Sequence, residues 1–159
     1  MGNNVIVLKD KIAQKKQNPK KFYLLIIPLA LIILLTSIYG VFQYFQPVST
    51  VILDSPRRIY INVNKYNKVI KIKPLRQSSN TVVNDTDLFN WEINDALKEI
   101  ITYYESSKII DESYFPYKKP ITIYLTSDKK IYLDITEFKD FMNTKKLKLI
   151  INQNGSDYK

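Results

Sequence analysis

The sequence predicts an α+β fold: an N-terminal transmembrane helix, then one small exported domain in which a sheet containing a β-hairpin packs with one long and one short helix. Three observations predict it. Residues 22–45, FYLLIIPLALIILLTSIYGVFQYF, carry no charged side chain. Between residues 58 and 73, apolar and polar side chains alternate with the period of two that a half-buried strand requires. From Trp91 to Tyr104, apolar side chains recur at the three-and-four spacing of one helix face.

Taken in order, residues 1–21 form a short basic tail, with Lys9, Lys11, Lys15, Lys16, Lys20 and Lys21 against Asp10. Beyond the apolar stretch the first cations are Arg57, Arg58 and Lys65, so the positive-inside rule places the tail in the cytoplasm and the following domain outside. The lysines read as a topology signal, with contact to anionic lipid headgroups as the alternative. A helix over 22–45 rises about 36 Å, enough to cross a hydrocarbon core of about 30 Å. Ser37-Ile38-Tyr39-Gly40 lacks the small-x-small pattern of a cleavage site, so the stretch reads as an uncleaved signal anchor in a single-pass cell-membrane protein. The lipid bilayer is the first partner this implies.

Residues 46–152 make the exported domain. After a connector over 46–50, a short apolar strand covers 51–54. A strand over 58–64 sets Ile59, Ile61 and Val63 on one face, and a strand over 68–73 sets Ile70 and Ile72 against Val69, Lys71 and Lys73. Asn64-Lys65-Tyr66-Asn67 joins them into a hairpin, using residues that tolerate positive φ without glycine. Residues 76–87, RQSSNTVVNDTD, read as a polar loop. The long helix covers 93–106, its face of Trp91, Ala96, Leu97, Ile100, Ile101 and Tyr104 packing into a core. Tyr114, Phe115, Pro116 and Tyr117 then form an irregular stretch lying over that helix. A strand over 121–125 follows, with 130–133 pairing back onto it, then a short helix over 136–143 and a strand over 147–151. Residues 153–159 are expected to be a mobile tail.

Composition excludes whole classes of chemistry. Cysteine and histidine are both absent, which removes disulfides, thiol catalysis, Cys or His zinc ligands and every triad with a histidine base. The only glycines are Gly2, Gly40 and Gly155, so no glycine-rich phosphate loop exists. Of the net charge of +9, six lysines less one acid place +5 in residues 1–21, and the remaining +4 is spread thinly along the residues after the span, which argues against nucleic acid as a partner. Glu92, Asp95 and Glu99 are spaced to share a helix face, but a solvated face explains them without chemistry. No catalytic residue, metal site, cofactor or small-molecule substrate is inferred, and the expectation is a non-enzyme.

The order of elements supports a comparison. A span, then VILDSPRRIYINVNKYNKVIKIKPL, then WEINDALKEIITYYESSKII, then PITIYLTSDKK resembles the extracytoplasmic middle domain of RsgI-like anti-sigma factors of Gram-positive bacteria. In that family the span is followed by D-x-N-P-S-I-E-L-x-V-N, a V-I pair, a helix with A-L and an alternating strand. The matching positions are Asp54, Ile59, Val63, Asn64, Val69 and Ile70, with Ala96-Leu97 as the helix pair and 121–125 as the later strand. The resemblance covers residues 50–130.

The family domain is known for self-cleavage at an Asn-Pro bond, where the asparagine amide attacks its own carbonyl. That pair aligns here with Pro56-Arg57, and the resemblance therefore implies a domain that has lost self-cleavage; Ser55 is the alternative nucleophile. The family also carries a cytoplasmic sigma-binding domain, for which 21 residues are too few to bury a core, so holding a sigma factor in the usual way is not expected. The reading that results is a membrane-anchored, extracytoplasmic binding protein in regulation or signalling, working with another membrane or envelope protein. The alternative is a structural or scaffolding subunit of an envelope complex for secretion, sporulation or division.

Overall fold

A computed structural model describes residues 19–127, 133–153 and 156–158. The chain divides into two units, Met1–Gln43 and Tyr44–Lys159. The uncharged stretch forms α1 (Pro19–Tyr44), within which Ile26–Tyr44 is long and apolar enough to cross a membrane. Its two adjacent hydroxyls are satisfied locally: Thr36 Oγ1 donates to the Ile32 carbonyl at 2.9 Å and Ser37 Oγ to the Ile33 carbonyl at 2.7 Å. Such back-bonding removes the cost of a free hydroxyl in an apolar setting.

In the second unit the elements run β1 (Ser49–Asp54), β2 (Ile59–Val63), β3 (Val69–Pro74), α2 (Asn80–Asp85), α3 (Ile93–Ser106), β4 (Pro120–Ser127), α4 (Thr136–Thr144), β5 (Lys148–Gln153) and β6 (Ser156–Tyr158). The strands form one sheet in the order β3-β2-β1-β4-β5-β6. All neighbours are antiparallel except β4 and β5, which are parallel with α4 in the crossover, as such a connection requires. Alternation decides which face is wet. Val51 and Leu53, Ile59, Ile61 and Val63, and Ile121, Ile123 and Leu125 are all buried, while Thr50, Ile52, Tyr60, Asn62 and Tyr124 remain partly or largely exposed. The buried set joins Ile93, Leu97, Ile100, Ile101 and Tyr104 of α3 and Phe138 and Met142 of α4 in one core. α3 spans 93–106 as the spacing predicts, and the Glu92 side chain caps it by accepting from the Asn94 amide at 2.8 Å.

The structure corrects four local expectations. In β3, Val69 pairs with Val63 and Lys71 with Asn62, leaving Ile70 as the extra residue of a bulge. The bulge swaps faces, so Val69 is fully buried while Ile70 is only half-buried, the reverse of strict alternation. Residues 76–87 are not a plain loop: a 3-10 turn over Gln77–Ser79 leads into α2, held because Val82 is buried and Val83 partly so. Trp91 stands outside α3 and is exposed, its carbonyl accepting from the Val69 amide at 2.9 Å. Where a mobile tail is predicted from 153, Gln153 belongs to β5 and Ser156–Tyr158 pairs with it as β6. The return strand predicted over 130–133 falls largely outside the described residues, and both edges of β4 are taken by β1 and β5.

Candidate functional site

Two turns at opposite ends of β2 carry the polar residues singled out from the sequence. The first is the β1–β2 corner, 54–58. Arg58 clasps Asp54 through two contacts, Nε to Oδ1 at 2.8 Å and Nη2 to Oδ2 at 2.6 Å, a fork that fixes the strand ends around the turn. The Asp54 hydrogen bond and charge hold the Arg58 guanidinium above its ordinary pKa. Ser55 Oγ donates to the Arg57 carbonyl at 3.1 Å, and the Tyr104 hydroxyl donates to the same oxygen at 2.7 Å. Arg57 reaches outward to the Thr81 hydroxyl of α2.

Tyr104 is fully buried, and burial pushes its hydroxyl up to about 12, with Ser55 and the Arg57 charge opposing that rise. A buried phenol must donate to something. Here it donates to a corner carbonyl 47 positions away, tying the last turn of the long helix to the β1–β2 corner. Positive φ occurs at Asn67, Asn90, Lys108, Tyr117 and Lys146 among the described residues, so none of the corner is left-handed. The corner is a turn restrained by the Asp54–Arg58 pair and the Tyr104 hydroxyl.

The second turn, 64–67, is organised by Asn64, which is fully buried. Its Oδ1 accepts from the amides of Tyr66 at 2.9 Å and Lys68 at 3.0 Å, and its Nδ2 donates to the Tyr44 carbonyl at 3.0 Å. One side chain thus closes the hairpin turn and fastens the entry to the domain. Asn67 adopts the left-handed conformation that the turn requires, φ 57°.

The six motif positions therefore fall into three kinds. Ile59, Val63 and Val69 are core; Asp54 and Asn64 each fix a turn; Ile70 is the bulge residue. They are not gathered into one pocket, and Pro56 lies exposed at the corner. Nor do Glu92, Asp95 and Glu99 converge. Glu92 caps α3, Asp95 meets Lys98 at 3.3 Å, and Lys98 turns to Glu137 at 2.8 Å. Among the described residues no cluster of acids could hold a metal ion.

With this geometry in view, the comparison with known proteins is decisive. Residues 49–158 match the anti-sigma factor RsgI-like central domain. The chain belongs to that family. The match runs from β1 to β6, so the family resemblance extends past residue 130 to take in α4, β5 and the terminal strand. The anti-sigma-I factor RsgI8 of Acetivibrio thermocellus is 30% identical over 102 residues, 63% of this chain and 25% of the relative. The chain thus spans about a quarter of the curated relative's length.

Two polar side chains that tie elements together escape the sequence reading. Tyr104 counts there only as an apolar face residue; its place in the last turn of α3, level with the strand ends, is the signal that its hydroxyl needs a partner. Asn94 is the other. Its Oδ1 accepts from the Phe138 amide at 3.1 Å and its Nδ2 donates to the Asp134 carbonyl at 3.1 Å, so α3 caps α4. A polar residue one position inside a predicted apolar helix face is the trace of that role.

Proposed function

We propose that this chain is a membrane-anchored regulatory protein of the RsgI-like group whose domain acts outside the cytoplasm by binding protein partners, without cleaving itself and without catalysis. The family match over 49–158 carries the reading, because it supports a regulatory anti-sigma relation. An apolar helix immediately ahead of the domain supports anchoring, and the lysines before it support a cytoplasmic N-terminus.

Loss of self-cleavage follows from chemistry at the corner. Attack on a backbone carbonyl needs a side-chain nucleophile within reach of a distorted peptide. Pro56 offers none. Ser55 Oγ is engaged by the Arg57 carbonyl, to which it donates at 3.1 Å. The purified chain is expected to give one intact mass after prolonged incubation; two fragments divided within 54–58 would overturn this part of the reading.

Topology and function are tested together in cells. The chain has no cysteine, so a single Lys118→Cys substitution at an exposed site reports its side of the membrane. Labelling by an impermeant maleimide in intact cells is expected, and labelling only after lysis would reverse the orientation. Deleting the protein is expected to change transcription of a defined set of genes. Lost assembly of an envelope complex with unchanged transcription would favour scaffolding instead.

A further inference from the structure

We infer that the hairpin end of the domain carries an aromatic foot that rests in the interfacial zone of the phospholipid bilayer. The inference builds on the anchored reading above and adds a second contact with the membrane, made by the folded domain itself.

The foot is assembled from three separate parts of the sequence. Tyr44 and Phe45 open the second unit, Tyr66 lies in the β2–β3 turn, and Phe89 lies in the segment before α3. The rings of Tyr44 and Tyr66 stack at 6.0 Å, those of Phe45 and Phe89 at 6.3 Å, and Tyr44 meets Phe45 edge-on at 5.4 Å. The Tyr44 hydroxyl donates to Asn90 Oδ1, and Asn64 holds the Tyr44 carbonyl. Despite this ordering the rings face outward: Phe45 is 51% exposed, Tyr66 56% and Phe89 52%, with Trp91 nearby in sequence at 42%. A contiguous patch of large exposed rings on a small domain marks an interaction surface.

Chain continuity selects the occupant. Tyr44 is also the last residue of Ile26–Tyr44, so the patch begins at the residue where the apolar helix ends. Tyrosine and tryptophan are enriched where a span meets the headgroups, because they present an apolar body and a polar tip to a zone that is part dry and part wet. Tyr44 satisfies that rule through sequence alone and Phe45 extends the apolar body beside it, whereas Tyr66 and Phe89 reach the same place only through the fold. Lys65 adds a cation whose Nζ lies 5.1 Å from the Tyr66 ring, on a stem long enough to reach headgroup phosphate while its ring partner stays lower. Asp87, whose carboxylate accepts from the Phe89 amide at 3.4 Å, and Glu92, bridged through its backbone to Lys68, offset the cations Lys65 and Lys68 at this end, so zwitterionic lipid is the fitting surface.

The test uses the full chain in phosphatidylcholine vesicles. Lys65→Cys and Ser107→Cys each carry one environment-sensitive fluorophore; Ser107 follows α3, about 20 Å along that helix from its start. A shallow spin-labelled phosphatidylcholine is expected to lower emission at position 65 roughly twofold and leave position 107 unchanged, since only groups within the interfacial zone meet the quencher. Adding Phe45→Ser and Phe89→Ser should abolish the difference while the chain still floats with the vesicles and keeps its circular dichroism.

Equal, weak quenching at both positions in floating vesicles would overturn the foot and leave the anchor standing. Quenching at position 65 that survives the double substitution would overturn it too. A dry but unquenched position 65 would assign the patch to a second copy of the chain. A chain that fails to float would defeat the anchor and the foot together.

Discussion

Tyr104 shows how one hydroxyl joins helix, corner and pH dependence. Its bond to the Arg57 carbonyl ties α3 directly to the β1–β2 corner, and it is made in full burial. Tyr104→Phe keeps the ring and leaves that carbonyl to Ser55 alone, so a loss of about 1–2 kcal/mol in denaturant unfolding of the detergent-solubilised chain is expected. The same group sets an alkaline limit. Its folded pKa of about 12 exceeds the ordinary value of 10.0, so the unfolded state releases the proton first as pH rises. Stability from this group is complete below pH 10 and is lost as pH climbs through 12, a fall of about 2–3 kcal/mol. Tyr104→Phe should flatten that part of the profile; an unchanged slope in the variant would show that another group is responsible.

At the scale of elements, caps and bulges decide what periodicity leaves open. The residue preceding α4 is Ile135, which has no side-chain acceptor, and Asp134 supplies one bond to the Thr136 amide at 2.9 Å. Hydrogen bonds from Thr136 hold the Asp134 carboxyl below its usual range. The deeper amide, that of Phe138, is served by Asn94 from α3. Asn94→Ala would orphan that amide and the Asp134 carbonyl, at an expected cost of about 2–3 kcal/mol, whereas an exposed neighbour such as Asp95→Ala should cost under about 0.5 kcal/mol. Equal small effects in both variants would remove Asn94 as the link between the helices.

Legibility follows the same division. The limits of α3 could be read because seven of its positions are buried at a helical period. The faces of β2 and β4 were legible for the same reason, since period two admits one assignment, whereas Val51, Ile52 and Leu53 of β1 are all apolar and only the fold shows which of them face the core. The bulge at Ile70 was not, because Val69, Ile70 and Ile72 are all apolar and only their pairing with β2 breaks the tie. α2 was hidden by asparagine, serine and threonine, whose weak helix propensity is outweighed by burial of Val82. β6 had no signal in so polar a tail; its evidence is a partner strand. At the turns, Asp54 and Asn64 could be named from the family motif, but the role of Asn64 lies in bonds to 44, 66 and 68 that spacing does not show.

The whole molecule pairs an apolar helix long enough to cross a membrane with a domain that carries its own core. Every buried core side chain of the described residues comes from Val51 onward, and the six strands close on one another with α3 and α4 over a single face. The core cluster is drawn from the second unit, so the domain's stability should be its own. Residues 44–159 produced alone are expected to unfold in urea in one cooperative step, with a slope of about 1–2 kcal/mol per molar and a midpoint close to that of the full chain in detergent. Starting the fragment at 49 removes the Tyr44 carbonyl that Asn64 Nδ2 holds, together with half of the aromatic patch. That shorter fragment should unfold at lower urea, by the equivalent of about 1–3 kcal/mol for an orphaned buried donor. A large drop already in the 44–159 fragment would mean that the apolar helix contributes to the fold of the domain. Equal midpoints for the two fragments would mean that Asn64 fastens nothing of consequence at the domain's entry.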